Sequence, residues 1–125
     1  MFKFAKKREV LWPVTIMVPV DDGKTAEQQF TVRFRLMTKS EMTDALAETV
    51  DEDMSKVFAA QDARLVDHVV GWSGLVDETG DELPFTSSAL NALLDVPYVR
   101  SAIEGALWEA SRGAPAKNSS PGHVG

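Results

Sequence analysis

His68 and His123 are the only imidazoles in this chain of 125 residues, and it contains no cysteine. A zinc centre draws three or four ligands from His, Cys and carboxylates, and neither histidine has a second one at ligand spacing. His68 follows Asp67 in a helical run, which reads as a hydrogen-bonded or solvent-facing helix residue. Asp77-Glu78-Thr79-Gly80-Asp81-Glu82 offers the oxygens of a calcium loop. Its glycine comes too early, however, and Ser88 stands where a bidentate Glu belongs, so an acidic surface turn is the better reading. The serines gather where helices begin, as capping requires, and no Gly-x-Ser-x-Gly elbow or phosphate-binding glycine pattern surrounds them. The many carboxylates form no recognisable acid–base pair. These residues predict a protein that is not an enzyme, uses no metal or cofactor, and works by contact. Trp12, Trp72, Trp108 and Tyr98 are then expected to serve as core or interface anchors.

A chain of this length supports one domain with one core. Hydrophobic residues make up 44% and charged residues 26%, the ordinary globular range. The absence of cysteine suits a reducing compartment. No apolar run approaches bilayer-spanning length, and Glu9 and Pro13 interrupt the stretch after the basic start, so neither a membrane span nor a signal peptide is expected. Net charge is −6, unevenly placed. Residues 1–39 hold eight Lys/Arg against four Asp/Glu, a balance of +4, whereas residues 40–113 hold four against fifteen, a balance of −11. So acidic a body is unsuited to nucleic acid, whose phosphates are met by Lys and Arg.

Residues 9–20 alternate, with Val10, Trp12, Val14, Ile16, Val18 and Val20 on one parity. That period, with its β-branched residues, predicts a strand; Pro13 and Pro19 make it an edge strand. Asp21-Asp22-Gly23-Lys24 is a turn signal, and Phe30, Val32, Phe34 and Leu36 alternate in a second strand. Two strands are marginal alone, so helices or another subunit must cover the hairpin. Thr38-Lys-Ser-Glu41 fits a capping box opening a helix to about Val50. Asp51-Glu-Asp53 suits the start of another, whose apolar side (Met54, Phe58, Leu65, Val69, Trp72) predicts a helix ended by Gly71 and Gly74. Thr86 or Ser87 caps a short helix to about Leu94, and Pro97 opens a last one stopped by Gly113. The predicted class is α+β: an N-terminal antiparallel β-hairpin packed against about four α-helices. Residues 1–9 form a basic arm, 10–113 the globular domain, and 114–125 a tail with no core-forming pattern.

The layout from Trp72 through the acidic turn to Leu83-Pro84-Phe85, Ser87-Ser88, Leu93-Leu94, Pro97 and Ala102-Ile103 resembles the tail assembly chaperones of long-tailed, siphovirus-like bacteriophages. Trp12-Pro-Val-Thr-Ile-Met-Val-Pro19, Asp22-Gly-Lys24 and Phe30-Thr-Val-Arg-Phe34 are similar to that family's N-terminal hairpin, so the resemblance covers roughly residues 10–113. It implies a protein of the host cell cytoplasm that binds the tape measure protein, helps recruit tail tube subunits and is absent from the mature virion. A structural tail-completion or head–tail connector subunit, retained in the virion, is the alternative. The resemblance carries no catalytic residue. The expected partner contacts are Trp12, Met17, Met37, Met42, Tyr98 and Trp108, aromatic anchors and adaptable methionines.

Two further expectations concern assembly. The opposite charges of the two halves favour a homo-oligomer in which Lys3, Lys6, Lys7 and Arg8 meet the acidic half of a neighbour. Chaperones of this family are often made in two lengths by ribosomal frameshifting. Ala116-Lys117-Asn118 can be encoded GCA-AAA-AAC, which contains a slippery heptamer, so a longer frameshifted form is a further expected partner.

Overall fold

A computed structural model of the chain describes residues 1–48, 50 and 53–116. Strands β1 (Glu9–Val20) and β2 (Lys24–Arg35) form one long antiparallel hairpin, as their alternation predicts. A single 3₁₀ turn, Asp21–Gly23, joins them; Asp22 (φ 64°) and Gly23 (φ 70°) are left-handed, a region Asp tolerates and Gly enters freely. Pairing runs without a slip from Glu9 opposite Arg35 to Val20 opposite Lys24. Trp12 therefore meets Val32 and Val14 meets Phe30, aromatic against β-branched pairs worth roughly 0.2–1 kcal/mol each. The Leu36 amide donates to the Arg8 carbonyl (2.9 Å), which fixes the ladder's phase. Even-numbered residues of β1 turn their amides toward β2, and odd-numbered ones turn theirs outward. Pro13 and Pro19 thus lie where no bond within the sheet is lost.

The run from Met54 to Trp72 is not one helix. α2 ends at His68, and Val69–Ser73 is a third strand, β3, on the far edge of β2. Ser73 pairs with Thr31, Trp72 with Val32, Gly71 with Arg33 and Val69 with Phe34, which leaves Val70 as a bulge. Leu65, Val69 and Trp72 fit a helical face by spacing, but an open strand edge stood beside a β-branched run, and pairing to it won. Gly71 accordingly lies within a strand and ends no helix.

The helix starts follow the capping residues. The Thr38 amide donates to Glu41 Oε1 (2.9 Å) and the Glu41 amide to Thr38 Oγ1 (3.2 Å), a complete capping box ahead of α1 (Lys39–Glu48). Asp53 caps α2 (Met54–His68) by accepting from the Ser55 amide at 3.0 Å. Thr86 accepts from the Ala89 amide at the start of α3 (Ser87–Leu94). Pro97 begins α4 (Pro97–Arg112), and Gly113 closes it at φ 75°.

α4 lies over β1 on the core face of the sheet. Phe34, Leu65, Ile103, Leu107, Val14, Val32 and Val69 are fully buried, joined by Ile16, Phe30, Leu90, Leu94 and Val99. Trp72 is only half-buried; its indole N–H donates to the Leu83 carbonyl (2.8 Å), and its ring meets Phe85 edge-on at 4.8 Å. No described helix is long and apolar enough to cross a membrane.

Candidate partner-binding surface

Among the described residues, the cluster with the makings of chemistry lies where β2, α1 and α2 meet. Glu41, Asp67 and His68 each bring a ligand atom within 4.8 Å of the others. Buried His68 holds Nδ1 2.6 Å from the Arg35 carbonyl, which accepts an N–H there and leaves Nε2 facing Glu41 (3.2 Å) and Asp67 (3.7 Å). The position between the carboxylates is already occupied by a cation. The Arg35 guanidinium lies 2.5 Å from Asp67 and 3.7 Å from Glu41. A metal there would have to displace Arg35, so the cluster reads as a tie between three elements. The Glu41 carboxyl is held below its ordinary pKa, first by the Thr38 amide and then by the charges of His68 and Arg35, against a partial burial that raises it.

The acidic turn is equally self-contained. Asp77 Oδ1 accepts from the Thr79 amide and hydroxyl and from the Asp81 amide, within a loop closed by the Val76–Glu82 bridge. The Thr79 hydroxyl is the main reason its carboxyl titrates low.

Apolar surface is the more telling feature. Leu46 near the end of α1, Val50 in the turn beyond it, and Met54 and Phe58 one turn apart at the start of α2 are between 45% and 79% exposed. Phe58 forms one wall of a cleft of about 370 Å³ whose other sides are Leu94, Pro97, Asn91 and the carboxylates Asp62 and Asp95. Arg100 spans its floor. It donates to Asp62 (2.6 Å), to the Leu94 carbonyl (2.7 Å) and to Gln61 (3.2 Å), and its guanidinium carbon sits 4.9 Å from the Phe58 ring centroid. This one side chain locks α2, the end of α3 and α4 together beneath the cleft.

The expected contact residues are not gathered into one patch. Tyr98, next to Pro97, is exposed beside the cleft; Met17 is exposed on β1. Met37 lies in the core, its amide bonded to Ser111 Oγ (3.0 Å), and offers no free surface. Trp12, Met42 and Trp108 are half-buried against the core; Trp108 donates to Glu104, whereas the Trp12 indole N–H has no partner among the described residues. Lys3, Lys6, Lys7 and Arg8 lie on an exposed arm. Ala116 is the last described residue, and Lys117 and Asn118 lie outside the described ones. Exposed Phe58 and largely buried Arg100 are residues that sequence pattern does not single out. Phe58 looks like one more core position on a helical face, and Arg100 like an ordinary helix charge.

Comparison with family models, with curated proteins and with solved structures finds no match to this chain.

Proposed function

We propose that the chain is an assembly factor acting by contact alone. More particularly, we propose a tail assembly chaperone of a long-tailed bacteriophage, working in the host cell cytoplasm. The observation that carries this is the exposed pair Met54 and Phe58, one turn apart on α2, with Phe58 walling the Arg100 cleft. Large apolar side chains left exposed side by side at the mouth of a cleft mark a binding surface. A groove with an apolar wall, flanked by Asp62 and Asp95, suits an amphipathic helix bearing basic residues at its margin. An unassembled tape measure protein, long and helical with apolar stretches, presents such segments. The sequence resemblance narrows the class to this family, and with it come tail tube recruitment and a longer, frameshifted form sharing this domain.

Co-expression of the chain with the tape measure protein of its own tail gene cluster tests the reading. The tape measure protein is expected to stay in the supernatant with the wild-type chain, and to precipitate when Met54→Asp and Phe58→Asp are combined. Both positions are exposed, so the double variant should fold. Mass spectrometry of purified virions provides the second arm. Stoichiometric recovery of this chain would refute the chaperone and leave a retained tail-completion or connector subunit.

A further inference from the structure

A second groove runs along the other side of the molecule, between the outer edge of β1 and the flank of α4. It encloses about 240 Å³ and is bordered by Pro13, Thr15 and Met17 on the strand and by Ser101, Ala102 and Gly105 on the helix. The strand side carries the outward amides and carbonyls of odd-numbered residues, which no other strand satisfies among the described residues. Gly105 sits in the middle of a helix, where glycine weakens the helix relative to alanine. A Cβ at Gly105 would meet no atom within 4 Å, so nothing among the described residues calls for a glycine there. The room it leaves opens onto the strand edge.

The chain also carries a segment shaped for such a groove. Ahead of a bend at Lys6–Lys7, the arm puts Phe2 and Phe4 on one side with ring centroids 6.4 Å apart, and leaves them 84% and 77% exposed. Two bare phenylalanines so close together are costly in water. Residues 1–8 hold Lys3, Lys6, Lys7 and Arg8 and no acid, while the turn beyond the far end of β1 carries Asp21 and Asp22, with Glu27 paired opposite Met17. Aligned antiparallel along a neighbour's β1, the arm carries its amino terminus and Lys3 toward that acidic tip.

We propose that the groove between β1 and α4 binds the N-terminal arm of a second copy of this chain, by strand addition to the open edge. Because the arm runs straight into β1, the exchange is reciprocal: two β1 strands lie antiparallel about Val10, with Ala5 opposite Thr15 and Lys3 opposite Met17. The two sheets then join into one of six strands. Each copy's Pro13 withholds one donor from this two-fold seam, and its carbonyl still accepts. The contact is two-fold, in contrast to the head-to-tail arrangement that charge asymmetry alone suggests, and it stands or falls independently of tape measure binding.

Sedimentation equilibrium of the full chain at low ionic strength, across micromolar to millimolar concentration, tests it. The wild type is expected to dimerise. Phe2→Ser with Phe4→Ser, outside the fold, and Gly105→Leu, whose Cβ enters open space and whose longer branch extends into the groove, are each expected to raise the dimer dissociation constant at least about 100-fold with an unchanged far-UV spectrum. Because the chain has no cysteine, mixing the single variants Ala5→Cys and Thr15→Cys should trap a mixed disulfide dimer under mild oxidation. A monomer at millimolar concentration, a dimer indifferent to Gly105→Leu, or no mixed disulfide would each overturn the proposal.

Discussion

Arg64 has the least exposed side chain of the ion-paired arginines among the described residues. It rises from α2 with only 8% of its side chain exposed and clasps Glu104 of α4 at 2.5 Å and Glu48 of α1 at 2.8 Å. The two partners differ in surroundings: Glu104 is 17% exposed and Glu48 is 44% exposed. Burial lowers the local screening and strengthens the first contact, while the second is a partly hydrated ion pair. A double-mutant cycle between Arg64 and Glu104 should therefore give a coupling of about 2 kcal/mol, and one between Arg64 and Glu48 below about 1 kcal/mol. Arg64→Ala alone should cost about 2–4 kcal/mol, since it strands the Glu104 carboxylate, which also accepts from the Trp108 indole. Glu104→Gln in the Arg64→Ala background should recover part of that loss by removing the stranded charge. Urea unfolding followed by circular dichroism, with equal m-values across the set, is the assay. Equal couplings for the two pairs, or Arg64→Ala costing under about 1 kcal/mol, would refute the burial argument.

Three further expectations are simpler to check. Gly105→Ala should stabilise the monomer by about 0.5–1 kcal/mol, visible as a higher Tm in dilute solution, because its Cβ enters open space within a helix. Ile103→Ala, at a fully buried site between helix and sheet, should cost about 2–5 kcal/mol in urea titrations. Glu41→Gln should flatten the acid side of the stability profile while keeping the capping box, whose third place accepts Gln. Glu41 titrates lower folded than unfolded, so its contribution is whole above its ordinary value and is lost as pH falls through the folded one. Thermal melts should thus show the gap between wild type and variant closing as pH drops below about 4.5; a constant gap would count against the linkage.

Local chemistry made much of the fold legible. The hairpin followed from alternation plus Asp22-Gly23, α1 from its capping box, α4 from Pro97 and Gly113; each is a decision taken within a few residues. β3 was hidden because Val69-Val70-Gly71-Trp72 satisfies a 3.6 period and a strand equally, and only β2's free edge decides between them. The exposed apolar surface was hidden for a related reason. Met54, Phe58 and Leu65 share a helical spacing, yet α3 and α4 cover only the last of them, and coverage is a property of the assembled layers. Arg100 acquires its role only from Asp62, Leu94 and Phe58, residues scattered along the sequence and joined by tertiary contact.

The contact of α4 with β1 joins the last described helix to the first described strand. On the ribosome, the hairpin is complete once Arg35 has emerged, but the face bearing Val14 and Ile16 waits for Ile103 and Leu107, some seventy residues later. At roughly 5–20 residues per second that interval is several seconds, far longer than hairpin formation takes. For that time the hairpin, marginal on its own, is expected to have its apolar face uncovered. A chain cut short before Pro97 is expected to be aggregation-prone, because the sixteen-residue helix α4 is the latch that covers this face.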